Sequence, residues 1–104
     1  MNLLSILGLG SSDLQGALKK GAIVIDVRTP QEFDEGHARN AVNIPIERVN
    51  VSVERIRQMQ KPIIFCCNSG SRSGQAVQIM KSKGMKQVYN GGSWERIIKL
   101  QKKL

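Results

Sequence analysis

The segment Ala22-Ile23-Val24-Ile25 is an unbroken apolar run with no polar residue at alternate positions. A strand of this kind is covered on both faces, so it needs helices on either side and favours a parallel sheet. Ile63-Ile64-Phe65-Cys66 is a further apolar run, set off by Pro62. Shorter strands are expected at Ala41-Val42-Asn43-Ile44, closed by Pro45, and at Gln87-Val88-Tyr89, with a turn at Gly91-Gly92.

Helical signals fill the intervals. Ser11-Ser12-Asp13 offers an N-cap for a helix through Leu14, Ala17 and Leu18, with Gly21 as its stop. Thr29-Pro30-Gln31-Glu32 is a capping box with proline at the first helical position, which predicts a helix ending near Gly36. Val49, Val53, Ile56 and Met59 predict one helix over 49–59. A helix from Gln75 stops at Gly84, and a last one over 93–103 has Trp94, Ile97, Ile98 and Leu100 on its apolar side. Alternating strands and helices specify an α/β domain of three layers, with a central, mainly parallel sheet of four or five short strands flanked by helices.

The 104 residues suffice for one core. We assign residues 12–104 to that domain and the apolar residues 1–11 to a mobile or loosely docked lead-in. This lead-in lacks a basic leader and is too short to span a bilayer. With 4% aromatic residues the core must be aliphatic, and base stacking is not expected. Lys81, Lys83, Lys86, Lys99, Lys102 and Lys103 are spread without a nucleic-acid motif. The net charge of +8 therefore reads as a solvated basic face that can steer small anions or an acidic protein partner, not nucleic acid. Cys66 and Cys67 are adjacent, a spacing that strains a disulfide, so both read as reduced thiols suited to the cytoplasm.

Chemistry concentrates in Cys67-Asn68-Ser69-Gly70-Ser71-Arg72-Ser73. Successive N–H groups of a tight loop form a concave nest, and the following helix adds the positive end of its dipole, so a thiol there ionises readily. Gly70 permits backbone conformations that a Cβ forbids, and Arg72 can grip an anion in bidentate fashion. Ligands of a parallel sheet bind beyond the carboxyl ends of its strands, where this loop and the Asp26–Thr29 turn fall. Arg28 accordingly either faces the cleft or pairs on the surface with Glu32 or Glu35. Asp26 reads as a structural acceptor fixing nearby loops, and His37 also as structural.

Taken in order, Ile25-Asp26-Val27-Arg28, Glu32-Phe33, Gly36-His37, Asn43-Ile44-Pro45, the Cys67–Ser73 loop and Val88-Tyr89-Asn90-Gly91-Gly92 resemble the rhodanese family of single-domain sulfurtransferases. Within it, the loop resembles small thiosulfate sulfurtransferases of the phage shock protein E type. The resemblance implies that the Cys67 thiolate takes sulfur from a small anionic donor such as thiosulfate, becomes a persulfide, and passes the sulfur to cyanide or a thiol. It also implies that Arg72 binds the donor's sulfonate oxygens with help from Ser69, Ser71 and Ser73. No metal or organic cofactor is implied. Asn68 stands where many members carry arginine, which bears on donor choice.

Two other readings use the same residues. Counted from Cys66, the loop is Cys-x5-Arg, the spacing of protein tyrosine phosphatases and arsenate reductases. Cys66, however, continues the buried strand as a small hydrophobe, whereas Cys67 stands at the loop mouth. Alternatively, the persulfide is carried to a protein partner and not turned over with small molecules.

Overall fold

The two long apolar runs are neighbours at the centre of the sheet. In a computed structural model of the protein, which describes residues 10–104, β1 (Ile23–Asp26) pairs with β3 (Ile63–Cys67) in parallel, Ile23 opposite Ile63 and Asp26 opposite Cys66. β2 (Val42–Asn43) flanks β1 and β4 (Val88–Ser93) flanks β3, giving a parallel sheet ordered β2-β1-β3-β4. Among the described residues the sheet thus has four strands. Residues 1–9 of the expected lead-in lie outside them.

The helices are α1 (Ser11–Lys19), α2 (Pro30–Glu35), α3 (Ile46–Val49), α4 (Val53–Arg57), α5 (Ser71–Ser82) and α6 (Trp94–Gln101). None of these is long and apolar enough to cross a membrane. Side chains alternate across the central strands as the pleat requires. Ile63, Phe65 and Cys67 pack with Ala76 and Met80 of α5 and with Val49, Val53 and Ile56. Ile64 and Cys66 join Leu14 and Ala17 of α1 and Ile97 and Leu100 of α6 on the opposite face. The adjacent cysteines therefore belong to different layers.

Four local expectations are corrected. The predicted helix over 49–59 divides into α3 and α4, because the Ser52 hydroxyl donates to the Arg48 carbonyl at 2.7 Å and competes with the helical ladder there. The helix expected from Gln75 begins at Ser71, since Gly70, at φ +98°, turns the chain straight into it. The N-cap of α1 is Gly10, and the Ser11-Ser12-Asp13 stretch expected to supply the cap is instead the first turn of the helix itself. Finally, Gly91-Gly92 is not a turn but part of β4. Phe65 pairs with Asn90 and Cys67 with Ser93, so β4 carries one extra residue in a bulge beneath the end of β3.

Candidate active site

β3 delivers Cys67 to the N-terminus of α5, and Cys67 Sγ accepts the backbone N–H of Gly70 at 3.0 Å. The Ser73 hydroxyl lies 3.4 Å from the same sulfur. Cys67 is only 1% exposed, and burial pushes its thiol up. The Ser73 hydroxyl and the N–H groups of Ser73, Gly70 and Ser69 outweigh that effect and hold it below the ordinary thiol value. A thiolate held by inward N–H groups is a nucleophile, and the same donors can stabilise an anion formed on it. Cys66, on the opposite face, is fully buried, and burial together with the nearby Asp26 carboxylate drives its thiol far up. The Cys66 sulfur therefore lies in the opposite layer, outside the Cys-x5-Arg ring counted from that residue.

The remaining loop residues divide by what they touch. Ser73 is buried, whereas Ser69 and Ser71 are exposed. Arg72 and Asn68 turn towards Glu32 of α2. Arg72 Nη1 and Nη2 donate to Glu32 Oε1 and Oε2 at 2.8 and 3.2 Å, and Asn68 Nδ2 donates to Oε2 at 2.7 Å. Glu32 also closes the capping box expected at Thr29, accepting the Thr29 N–H at 2.9 Å while its own N–H bonds Thr29 Oγ1. Led by the Arg72 bond, these donors hold the Glu32 carboxyl far below the usual carboxylate range.

Arg28 takes neither of the positions expected for it. It is 3% exposed and engages Asp26, which is fully buried, through Nε at 2.9 and 3.0 Å and Nη2 at 2.8 Å. Nη2 also donates to the Gly36 carbonyl at 2.6 Å, and the guanidinium lies 4.7 Å over the Trp94 ring. The surface pairing with Glu32 or Glu35 is thus replaced by a buried ion pair. Asp26 further accepts the Arg28 N–H at 3.0 Å and fixes the turn, the structural part expected of it. His37 stacks on Phe33 at 3.8 Å and its Nδ1 lies 2.8 Å from the Phe33 carbonyl oxygen.

Sequence reasoning gave no role to Asn90. Its Nδ2 donates to the Gly70 carbonyl at 3.0 Å, and its Oδ1 accepts the Ser73 hydroxyl at 2.6 Å and the Gly92 N–H at 3.0 Å. It ties both ends of the nest to the bulge of β4. The available signals were a polar residue before a glycine pair at the end of a strand and its place in the Val88-Tyr89-Asn90-Gly91-Gly92 stretch.

Residues 11–98 match the family model described as a rhodanese-like domain. The uncharacterized Bacillus subtilis protein YqhL is 39% identical over 85 residues, covering 78% of this chain and 67% of its own. The Escherichia coli thiosulfate sulfurtransferase PspE is 32% identical over 74 residues, covering 70% and 71%. Among solved structures, the human single-domain sulfurtransferase TSTD1 superposes with a TM-score of 0.67 at 25% identity, over 85% of this chain and 91% of that one.

Proposed function

The chain belongs to the rhodanese-like domain family, and from that premise we propose that it is a sulfurtransferase working through a persulfide on Cys67. The observation that carries this reading is the Cys67 sulfur accepting the Gly70 N–H at 3.0 Å beside the Ser73 hydroxyl, at the start of α5. In the first half-reaction the thiolate attacks the outer sulfur of thiosulfate or a related donor. The S–S bond of the donor breaks, sulfite leaves with the bonding pair, and Cys67 becomes a persulfide anion. In the second, cyanide attacks the terminal sulfur and leaves as thiocyanate, restoring the thiolate; a thiol acceptor leaves instead as its own persulfide.

Because the loop donors hold the thiol below its ordinary value and so favour the thiolate, neither half-reaction calls for a separate general base. The N–H groups that hold the thiolate are also the donors that would stabilise the persulfide charge, a preorganised arrangement of the kind that lowers a barrier effectively. Two reduced thiols suit a reducing compartment such as the cytoplasm. The net charge of +8 suits anionic donors and an acidic acceptor protein.

Intact mass after incubation with thiosulfate or an arenethiosulfonate tests the proposal. The expected result is a gain of one sulfur atom, mapped by digestion to Cys67, absent in Cys67→Ser and removed by cyanide. A sulfur on Cys66, or none with either donor, would overturn it. Retention of the sulfur against cyanide and small thiols, with release only to a protein thiol, would reassign the chain as a carrier.

A further inference from the structure

Both guanidiniums that the sequence offers to an anionic donor are matched by carboxylates. Arg28 is committed to Asp26 inside the fold. Arg72 is committed to Glu32, in a pair whose side chains are 30% and 29% exposed. The second pairing is unusually complete. Glu32 accepts from Arg72 at both oxygens, from Asn68 at Oε2 and from the Thr29 N–H at Oε1. Two loop residues and a helix cap therefore converge on one carboxylate, and the Arg72 charge is cancelled where a donor would meet it.

We infer that Glu32 sets which sulfur donors the Cys67 site accepts, by holding Arg72 in an internal ion pair so that the loop favours singly charged sulfane donors over the thiosulfate dianion. This rests on the sulfur-transfer reading and refines its donor class. To use Arg72, thiosulfate must displace a carboxylate held by four hydrogen bonds. Otherwise it approaches a thiolate without the Arg72 charge, and the loop N–H groups and the Ser73 hydroxyl must offset the repulsion. A monoanion such as a thiosulfonate meets half that electrostatic opposition, since the energy scales with the charge it carries. Arg72 in this arrangement positions Glu32 and Asn68 and gives little net attraction for a dianion.

The informative variant is Glu32→Gln. Glutamine also serves at the third position of a capping box, so α2 keeps its start while the negative charge is lost. Two ratios are measured with the intact protein. The first is kcat/KM for thiosulfate over that for methanethiosulfonate, with cyanide as acceptor. Removing one negative charge should raise the monoanion value about threefold and the dianion value about tenfold, roughly the square, so the ratio rises about threefold. The second needs no sulfur transfer: the rate at which Cys67 is alkylated by iodoacetate over that by iodoacetamide. The same change should raise this ratio about threefold, and any shift in thiol ionisation cancels between the two reagents.

Ratios unchanged by Glu32→Gln, or a fall in the thiosulfate ratio with the fold intact by circular dichroism, would overturn the inference. The latter result would mean that Glu32 orients Arg72 for the donor. Absence of persulfide with every donor, alongside the expected alkylation ratio, would instead refute the sulfur-transfer reading and leave the charge control by Glu32 standing.

Discussion

Asn90 accepts the Ser73 hydroxyl at 2.6 Å, and that same hydroxyl oxygen stands 3.4 Å from Cys67 Sγ. A serine has one hydrogen to give, so two acceptors compete for it. With Cys67 as a thiol, S–H can donate to Ser73 Oγ while Ser73 donates to Asn90. With Cys67 ionised, the hydroxyl is needed at sulfur, and Asn90 Oδ1 keeps the Gly92 N–H. Asn90 thus competes with the Cys67 sulfur for the one hydrogen of Ser73.

Exchanging that amide for a carboxylate should raise the Cys67 pKa. In Asn90→Asp a negative charge stands one hydroxyl away from the thiolate and holds the Ser73 hydrogen more strongly, an effect of about one unit or more. The pH dependence of iodoacetamide alkylation measures it. The wild-type rate climbs through a midpoint below the ordinary thiol value and then levels, since only the thiolate reacts. The variant midpoint should move up by about one unit, and an unchanged midpoint would remove Asn90 from the tuning of Cys67.

Ser73→Ala removes the closest side-chain donor to sulfur, while the backbone N–H groups stay. The sign is the same: with less support for the anion, Cys67 titrates higher and loses reactivity as pH falls towards 7. A loss of one charge-assisted hydrogen bond, roughly 1.5–3 kcal/mol, predicts a shift of about one to two units. Sulfur transfer at pH 7 should drop, by up to about tenfold for each pH unit that the midpoint rises, and recover in part at pH 9. Failure to recover at high pH would locate the defect in donor geometry and not in ionisation.

Cys66 gives a stability test of opposite character. Burial raises its folded-state pKa, so the folded protein holds this proton while the unfolded chain releases it at about pH 8.5. The contribution is complete below that value and falls by about 1.4 kcal/mol for each pH unit above it. Cys66→Ala lacks this group and should be less stable at pH 7 because of the cavity it leaves. Between pH 8 and pH 10 its deficit against wild type should shrink by about 2 kcal/mol in urea unfolding. A deficit constant with pH would mean that Cys66 is ionised or accessible in the fold.

The two ion pairs of the site should separate by magnitude. In Asp26→Asn the buried Arg28 guanidinium loses its counter-charge, which costs about 3–5 kcal/mol. The partly exposed Glu32–Arg72 pair is worth about 1 kcal/mol or less to folding. Urea midpoints should therefore fall steeply in Asp26→Asn and scarcely in Glu32→Gln. Equal losses would contradict the burial assigned to Arg28.

What could be read in advance followed from local chemistry. The apolar runs around Ile23 and Ile63 marked the two central strands because no other environment suits them, and the Thr29–Glu32 capping box marked α2. The strand-plus-loop pattern likewise pointed to Cys67 over Cys66, and alternation across β3 supplies the reason, since neighbouring strand residues face opposite layers. The second task of Glu32 and the clasp of Asn90 were illegible because they depend on partners 40 and 17 residues away. Ser52 ended a helix whose apolar spacing was sound, and the glycine pair was misread because glycine marks both turns and close packing.

Gly91 is where that close packing is tightest. A Cβ built there would lie 2.6 Å from Ile64 Cγ2, 2.8 Å from Ile97 Cδ1 and 3.1 Å from the Phe65 carbonyl oxygen. The isoleucines can repack only in part, and the carbonyl belongs to β3, the strand that carries Cys67. Gly91→Ala should destabilise the domain by about 1–3 kcal/mol, the usual penalty of overpacking, and lower Tm by roughly 4–8 °C per kcal/mol. Adding Ile97→Val removes the Cδ1 contact and should restore part of that stability. It leaves the Phe65 carbonyl contact in place, so sulfur transfer should remain depressed while Tm recovers. Full recovery of both would mean that β3 does not shift, and that the bulge supports Cys67 only through the bonds of Asn90.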